Sequence, residues 1–198
     1  MPAISVSVDG QMLATASTDD GYDMLNILVN GSRIHDEFAI LNFSGSRFPD
    51  DKESIHHTWI PSLQLCPGQV VTVSMLEKGE TSHRGKTFEE MFPNIDKAAF
   101  GEECLLRRDE LVTALKARPK LRSGYGFTLI VPGGTAFTGY TSPQEDSLHC
   151  SMMWDHWQPQ HTRLSLCSSG ADGRNDLTCR ELRVGESLHL QLDTLTLP

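Results

Sequence analysis

The chain of 198 residues contains no apolar run that approaches the roughly 20 residues a spanning helix needs, so no membrane segment is expected. Its start, MPAISVSVDGQ, lacks both the basic segment and the apolar stretch of a signal peptide, which makes a cytoplasmic location the expectation. Cysteine is sparse and odd in number, at 66, 104, 150, 167 and 179, and no Cys-x-x-Cys pair occurs. A disulfide framework and a structural zinc knuckle are therefore not expected; reduced, mostly buried thiols are.

Positive charge is also short. Seventeen Lys and Arg face 26 Asp and Glu, a net charge of −9. Residues 1–80 hold 11 acids against 4 bases, residues 81–123 hold 7 against 9, and residues 124–198 hold 8 against 4. Both ends of the chain repel phosphate, so nucleic acid is not an expected ligand. Catalytic signatures are missing as well. There is no G-x-S-x-G elbow, no G-x-x-x-x-G-K-[ST] loop, no H-E-x-x-H helix and no G-x-G-x-x-G fingerprint. The expectation is a protein without enzymatic activity and without a cofactor.

What the chain does have is a repeat. A shift of 117 lays Leu65, Gly68, Val71, Val73 and Met75 on Leu182, Gly185, Leu188, Leu190 and Leu192. A shift of 123 lays Ile4, Val6, Val8 and Gly10 on Phe127, Leu129, Val131 and Gly133. The same shift matches Leu25, Ile27 and Val29 to Leu148, Cys150 and Met152, and Leu41 and Phe43 to Leu164 and Leu166. One indel reconciles the two offsets, because 44–58 in the first copy corresponds to the shorter 167–175 in the second. Strand order, face and spacing all persist, which is the mark of an internal duplication.

Each copy reads as six short strands. In the first they lie near 4–8, 11–16, 23–30, 38–43, 59–65 and 69–76, and Ile4, Val6 and Val8 alternate with Ser5, Ser7 and Asp9 at the period of a half-buried strand. Asp9-Gly10 signals a tight hairpin, and Pro67-Gly68 and Gly185 turn the fifth strand into the sixth. Antiparallel strands with one apolar face need a second sheet to cover it. The expected fold is all-β, mainly antiparallel: a duplicated six-stranded β-sandwich-like unit at 1–80 and 124–198, joined by a partly helical connector at 81–123. Within the connector, Thr87 and Glu90 have capping-box spacing, with Pro93 ending that helix, and Asp109 caps a second predicted helix over 110–117. Its apolar content argues that it packs on one or both copies.

Candidate sites follow from strand alternation. If consecutive strands reverse, the loop 17–23 shares an end with the long loop 44–58, gathering Asp19, Asp20, Asp23, Asp50 and Asp51; Glu145, Asp146, Asp172 and Asp176 take the corresponding end of the second copy. Three readings apply to such an acidic end: solubility alone, a docking surface for a basic protein, or a cation site, although no EF-hand spacing is present. His149, His156 and His161 have the chemistry of a transition-metal site, but alternation turns Cys150 to the core face and His149 away from it. Trp157 stands in a polar loop, where an indole either anchors a partner or folds back over the core.

Two functions are carried forward. The first is a non-enzymatic protein-binding module, in the manner of an immunity or antitoxin protein, that meets a basic partner with its acidic loops. The alternative is a small-ligand protein, for carbohydrate or metal, with its site between the two repeats. An exposed edge strand would also permit homodimerisation.

Overall fold

A computed structural model describes residues 2–50, 53–95, 110, 113–114 and 117–195. Twelve strands carry the fold: β1 (Ala3–Val8), β2 (Gln11–Ser17), β3 (Met24–Ser32), β4 (Ala39–Arg47), β5 (Ile55–Leu65), β6 (Val70–Leu76), β7 (Tyr125–Ile130), β8 (Ala136–Tyr140), β9 (Glu145–Asp155), β10 (His161–Gly170), β11 (Gly173–Arg183) and β12 (Ser187–Thr194). They form two six-stranded sheets, ordered β2-β1-β6-β12-β7-β8 and β11-β10-β9-β3-β4-β5. Among the described residues no helix is long and apolar enough to cross a membrane.

The duplication is visible in this order. Each half gives three strands to each sheet, and equivalent strands of the two halves meet at the centre, β6 against β12 and β3 against β9. The register is centred on equivalent residues. Thr72 pairs with His189, and Leu28 pairs with Ser151. A pseudo-twofold axis therefore passes through both sheets. The repeated glycine stretches close it from both sides: Gly68 N–H donates to Leu192 O at 2.8 Å, and Gly185 N–H donates to Met75 O at 2.6 Å. Both glycines have φ above +80°, a region that L side chains rarely occupy. The two halves thus share one hydrophobic cluster, in which Leu25, Ile27 and Val29 of β3 and Leu148, Cys150 and Met152 of β9 are all buried. Burial of each large apolar side chain stabilises the fold by about 1.5–3 kcal/mol.

Local signals hold at most turns. Asp9 (φ 51°) and Gly10 (φ 79°) make the tight β1–β2 turn. Thr87 accepts from the Glu90 N–H at 3.3 Å and Glu90 accepts from the Thr87 N–H at 2.9 Å, completing the box that starts a one-turn helix, α1 (Phe88–Met91). The expected second helix over 110–117 lies mostly outside the described residues; Glu110, Thr113 and Ala114 are helical. The residues after β6 seal the two edges of the first half. Ser82 exchanges bonds with Thr15 of β2, Thr81 accepts from Ser17 N–H, and Lys86 forms a bridge with Thr58 of β5.

Candidate functional site

Because β3 and β9 run antiparallel, the first half's acidic end and the second half's acidic end point opposite ways along the sandwich. Met24 pairs with Asp155 while Ser32 pairs with Ser147, so roughly 30 Å of strand separates the two ends. The end that carries Asp23 and Asp50 is joined instead by the β9–β10 turn of the second half. Asp23, Arg47, Phe48, Pro49, Asp50, His156 and Trp157 line one groove of about 410 Å³.

Several bonds build this groove. Asp23 accepts the Phe48 N–H, its own N–H donates to Ser46 O at 2.9 Å, and its carbonyl accepts the His156 N–H at 3.0 Å. Its Oδ1 lies 3.3 Å from His156 Nδ1. The His156 and Trp157 rings stack with centroids 4.1 Å apart and planes 34° apart. Trp154 anchors the turn from beneath, donating its indole N–H to Pro159 O at 3.1 Å. It is buried in the core, on a central strand. Trp157 does not fold back: 76% of its surface is exposed, and Phe48 of the same groove is 55% exposed.

Asp19 and Asp20 lie on the 3-10 turn just before (Thr18–Asp20), where Asp20 accepts from the Thr81 hydroxyl. Tyr22 follows, donating to or accepting from His57 Nδ1 at 2.8 Å and packing edge-on against Trp59; burial, then the Asp20 charge, holds its phenol above its ordinary pKa. Asp51 lies outside the described residues.

The pseudo-twofold axis provides an internal comparison. Asp23 corresponds to Asp146 and His156 to Arg33, and the Arg33 N–H donates to Asp146 O at 2.8 Å as His156 N–H does to Asp23 O. There, however, the equivalent space is filled. Arg33 is buried, with Nε on Arg122 O at 2.8 Å and Nη1 on Pro143 O at 2.8 Å and Glu145 O at 3.1 Å. The end of the connector lies over it, Leu121 N–H donating to Arg33 O and Lys120 pairing with Asp146 at 2.6 Å. Among the described residues, one end is plugged, and its counterpart is an open groove with an exposed indole.

Of the three histidines considered for a metal, His149 stands apart from the other two. His156 is in the groove, His161 opens β10, and His149 sits on the outer face of β9, about 20 Å along the strand from the turn. His149 Nδ1 lies 2.7 Å from Asn30 Oδ1 and Nε2 lies 2.8 Å from Ser147 Oγ. Burial first, and then the Arg174 charge, holds its pKa below that of an ordinary histidine. As alternation requires, Cys150 faces the core, where burial pushes its thiol up to about 12. Among the described residues no group of three or more His, Cys, Asp or Glu side chains could hold a metal ion.

The sequence gives no direct sign that the β9–β10 turn belongs with loop 44–58; the only available signal was the duplication itself, since a twofold between equivalent strands forces that exchange. No family model matches the chain, and no curated protein or solved structure is significantly similar to it.

Proposed function

We propose that this protein is a binding module, of the immunity or antitoxin kind, that holds a basic protein partner at the groove of Asp23, Asp50 and Trp157. The single observation that carries the reading is the exposed indole beside two carboxylates, at the one of two pseudo-equivalent ends that the described residues leave open. A lysine or arginine side chain laid over the Trp157 face gains a cation–π contact of about 0.5–2 kcal/mol. Its charged head then lies near Asp23 and Asp50, with Arg47 in the same lining offsetting one of the two charges and favouring a single basic anchor over a polycation. Asp19 and Asp20 extend the negative field beyond the groove and raise the encounter rate of a basic partner.

A second reading, a small-ligand site for carbohydrate, is favoured by the same groove's position at the junction of the two halves, where an indole face flanked by carboxylates and a guanidinium also suits a sugar ring. Salt separates the two. Affinity capture from the native host at low salt, with wild-type and Trp157→Ala/Asp50→Lys baits in parallel, is expected to yield a basic protein that elutes with salt from the wild type alone. A hot-spot indole of this kind costs about 2 kcal/mol or more when truncated, so Trp157→Ala by itself should weaken capture roughly 30-fold. Equal capture by both baits contradicts the docking reading. A sugar that binds the wild type irrespective of salt supports the second.

A further inference from the structure

On the outer face of the second sheet, well away from the groove, four side chains form one hydrogen-bonded line. Ser147 and His149 are two residues apart on β9 and so project to the same side. Asn30 of β3 is the cross-strand partner of His149, and Ser169 of β10 is that of Ser147. The bonds run Ser169 Oγ to Ser147 Oγ at 2.6 Å, Ser147 Oγ to His149 Nε2 at 2.8 Å, and His149 Nδ1 to Asn30 Oδ1 at 2.7 Å.

Donor and acceptor chemistry gives one proton arrangement in which every bond of this line is made. The Asn30 amide oxygen can only accept, so the proton of a neutral imidazole is on Nδ1. Nε2 is then bare, and the Ser147 hydroxyl at 2.8 Å is the nearer donor to it, with the Ser169 hydroxyl at 3.4 Å. With Ser147 donating to Nε2, the Ser169 hydroxyl, 2.6 Å from Ser147 Oγ, is the donor in the bond between the two serines. Desolvation and the Arg174 charge both disfavour the imidazolium, which keeps Nε2 free to take a proton. A nucleophile within hydrogen-bond reach of a base, with a third group orienting the base, is the arrangement that activates a serine. The line opens on a cavity of about 400 Å³ that Ser32, His35 and Asn42 also border, room for a small substrate only.

We propose that Ser147 is a base-activated nucleophile that accepts the acyl group of small activated esters, with His149 as its base and Asn30 positioning the imidazole. Ser147 Oγ bonds to the carbonyl carbon while its proton passes to His149 Nε2. The C–O bond to the leaving group breaks, and the departing oxygen takes that proton. Water then attacks the acyl-serine and gives a proton to Nε2; the acid leaves, and Ser147 Oγ recovers the proton. Once Ser147 is acylated, the Ser169 hydroxyl no longer has its alcohol partner and turns to the carbonyl oxygen. One hydroxyl in place of a pair of backbone N–H groups makes turnover slow, so formation of the covalent adduct is the better readout. The proposal stands independently of the docking groove.

The experiment is reaction of the full-length protein with a fluorophosphonate probe, followed by mass spectrometry of its peptides. The expected result is an adduct on Ser147, absent from Ser147→Ala and formed on the order of 100-fold more slowly in His149→Gln, with thermal melting confirming that both variants fold. Asn30→Asp tests positioning: a carboxylate on Nδ1 raises the imidazole pKa and moves the pH midpoint of labelling upward. The other groups around that ring are Arg174 of β11, His35 and Glu37 between β3 and β4, and Cys167 opposite it on β10, all unchanged in this variant. An unmodified Ser147 in the folded wild type overturns the proposal. So does a rate on Ser147 no greater than that on Ser54, which is exposed and outside this cavity, or a rate indifferent to His149→Gln.

Discussion

At Gly31 an added Cβ would stand 2.6 Å from Cζ of Tyr125, closer than real Cβ atoms approach anything. The ring cannot withdraw, because its single hydroxyl proton is shared between Phe38 O at 2.6 Å and Ser32 O at 2.9 Å and the residue is fully buried. Gly31→Ala should therefore destabilise the protein by about 1–3 kcal/mol, read as a lower urea midpoint at unchanged slope. An unchanged midpoint would mean that Tyr125 is not held as described. The cysteines divide on the same physical grounds. With its pKa near 12, Cys150 has about one thiolate in 10,000 molecules at pH 8, whereas Cys66 and Cys179 are exposed. Cys66 and Cys179 should react promptly with a disulfide reagent, and Cys150 only at the rate at which the core opens. The alternation of Leu148, Cys150 and Met152 made that burial readable from sequence; the exposure of Trp157 was not readable, since an indole in a turn packs in or out according to neighbours 100 residues away.

Among the elements, the β3–β4 and β9–β10 connections are pseudo-equivalent and differ in how they are closed. Arg33 spans from the first connection to three carbonyls, at 122 in the connector and at 143 and 145 in the second half. Arg33→Met would leave those acceptors buried without donors, at about 3 kcal/mol or more in a chemical denaturation series. A loss below 1 kcal/mol would show that water replaces the guanidinium (on the scale of a single surface bond). The Glu145 carboxyl sits beside this clamp. Burial pushes its pKa up, but donors on Ser168, Asn175 and Ser142 outweigh that and hold it below the ordinary carboxylate value. A depressed folded-state pKa stabilises the fold above the unfolded value, about 4.3, and that stability disappears as pH falls through the folded value. Glu145→Gln should flatten the acid limb of a stability–pH profile, and an unaltered acid limb would dissociate this carboxyl from acid unfolding. Hairpin glycines, the Thr87–Glu90 box and the strand faces were legible because each depends on a few neighbouring residues. The direction in which the second acidic end points was not, because it depends on β9 choosing β3.

Across the whole molecule, that choice turns two copies into one sandwich with a shared core. Heating should give a single cooperative transition, with calorimetric and van't Hoff enthalpies equal; two resolved transitions would require two cores. The repeat was legible as a matched series of residues, yet the same series suits two separate sandwiches as well as one, and only the pairings of Thr72 with His189 and Leu28 with Ser151 distinguish them. The open groove is a consequence of those pairings, since they bring Trp157 of one half to Asp23 and Asp50 of the other. Trp59 and Trp154 are buried, so the indole accessible to a neutral quencher is that of Trp157. The most direct test is acrylamide quenching of tryptophan fluorescence with and without an arginine-rich peptide. At low salt the peptide should shield Trp157, and either added salt or Asp50→Lys should remove the shielding. Quenching that the peptide leaves unchanged, or shielding that persists in Asp50→Lys, would contradict a basic side chain docked in this groove.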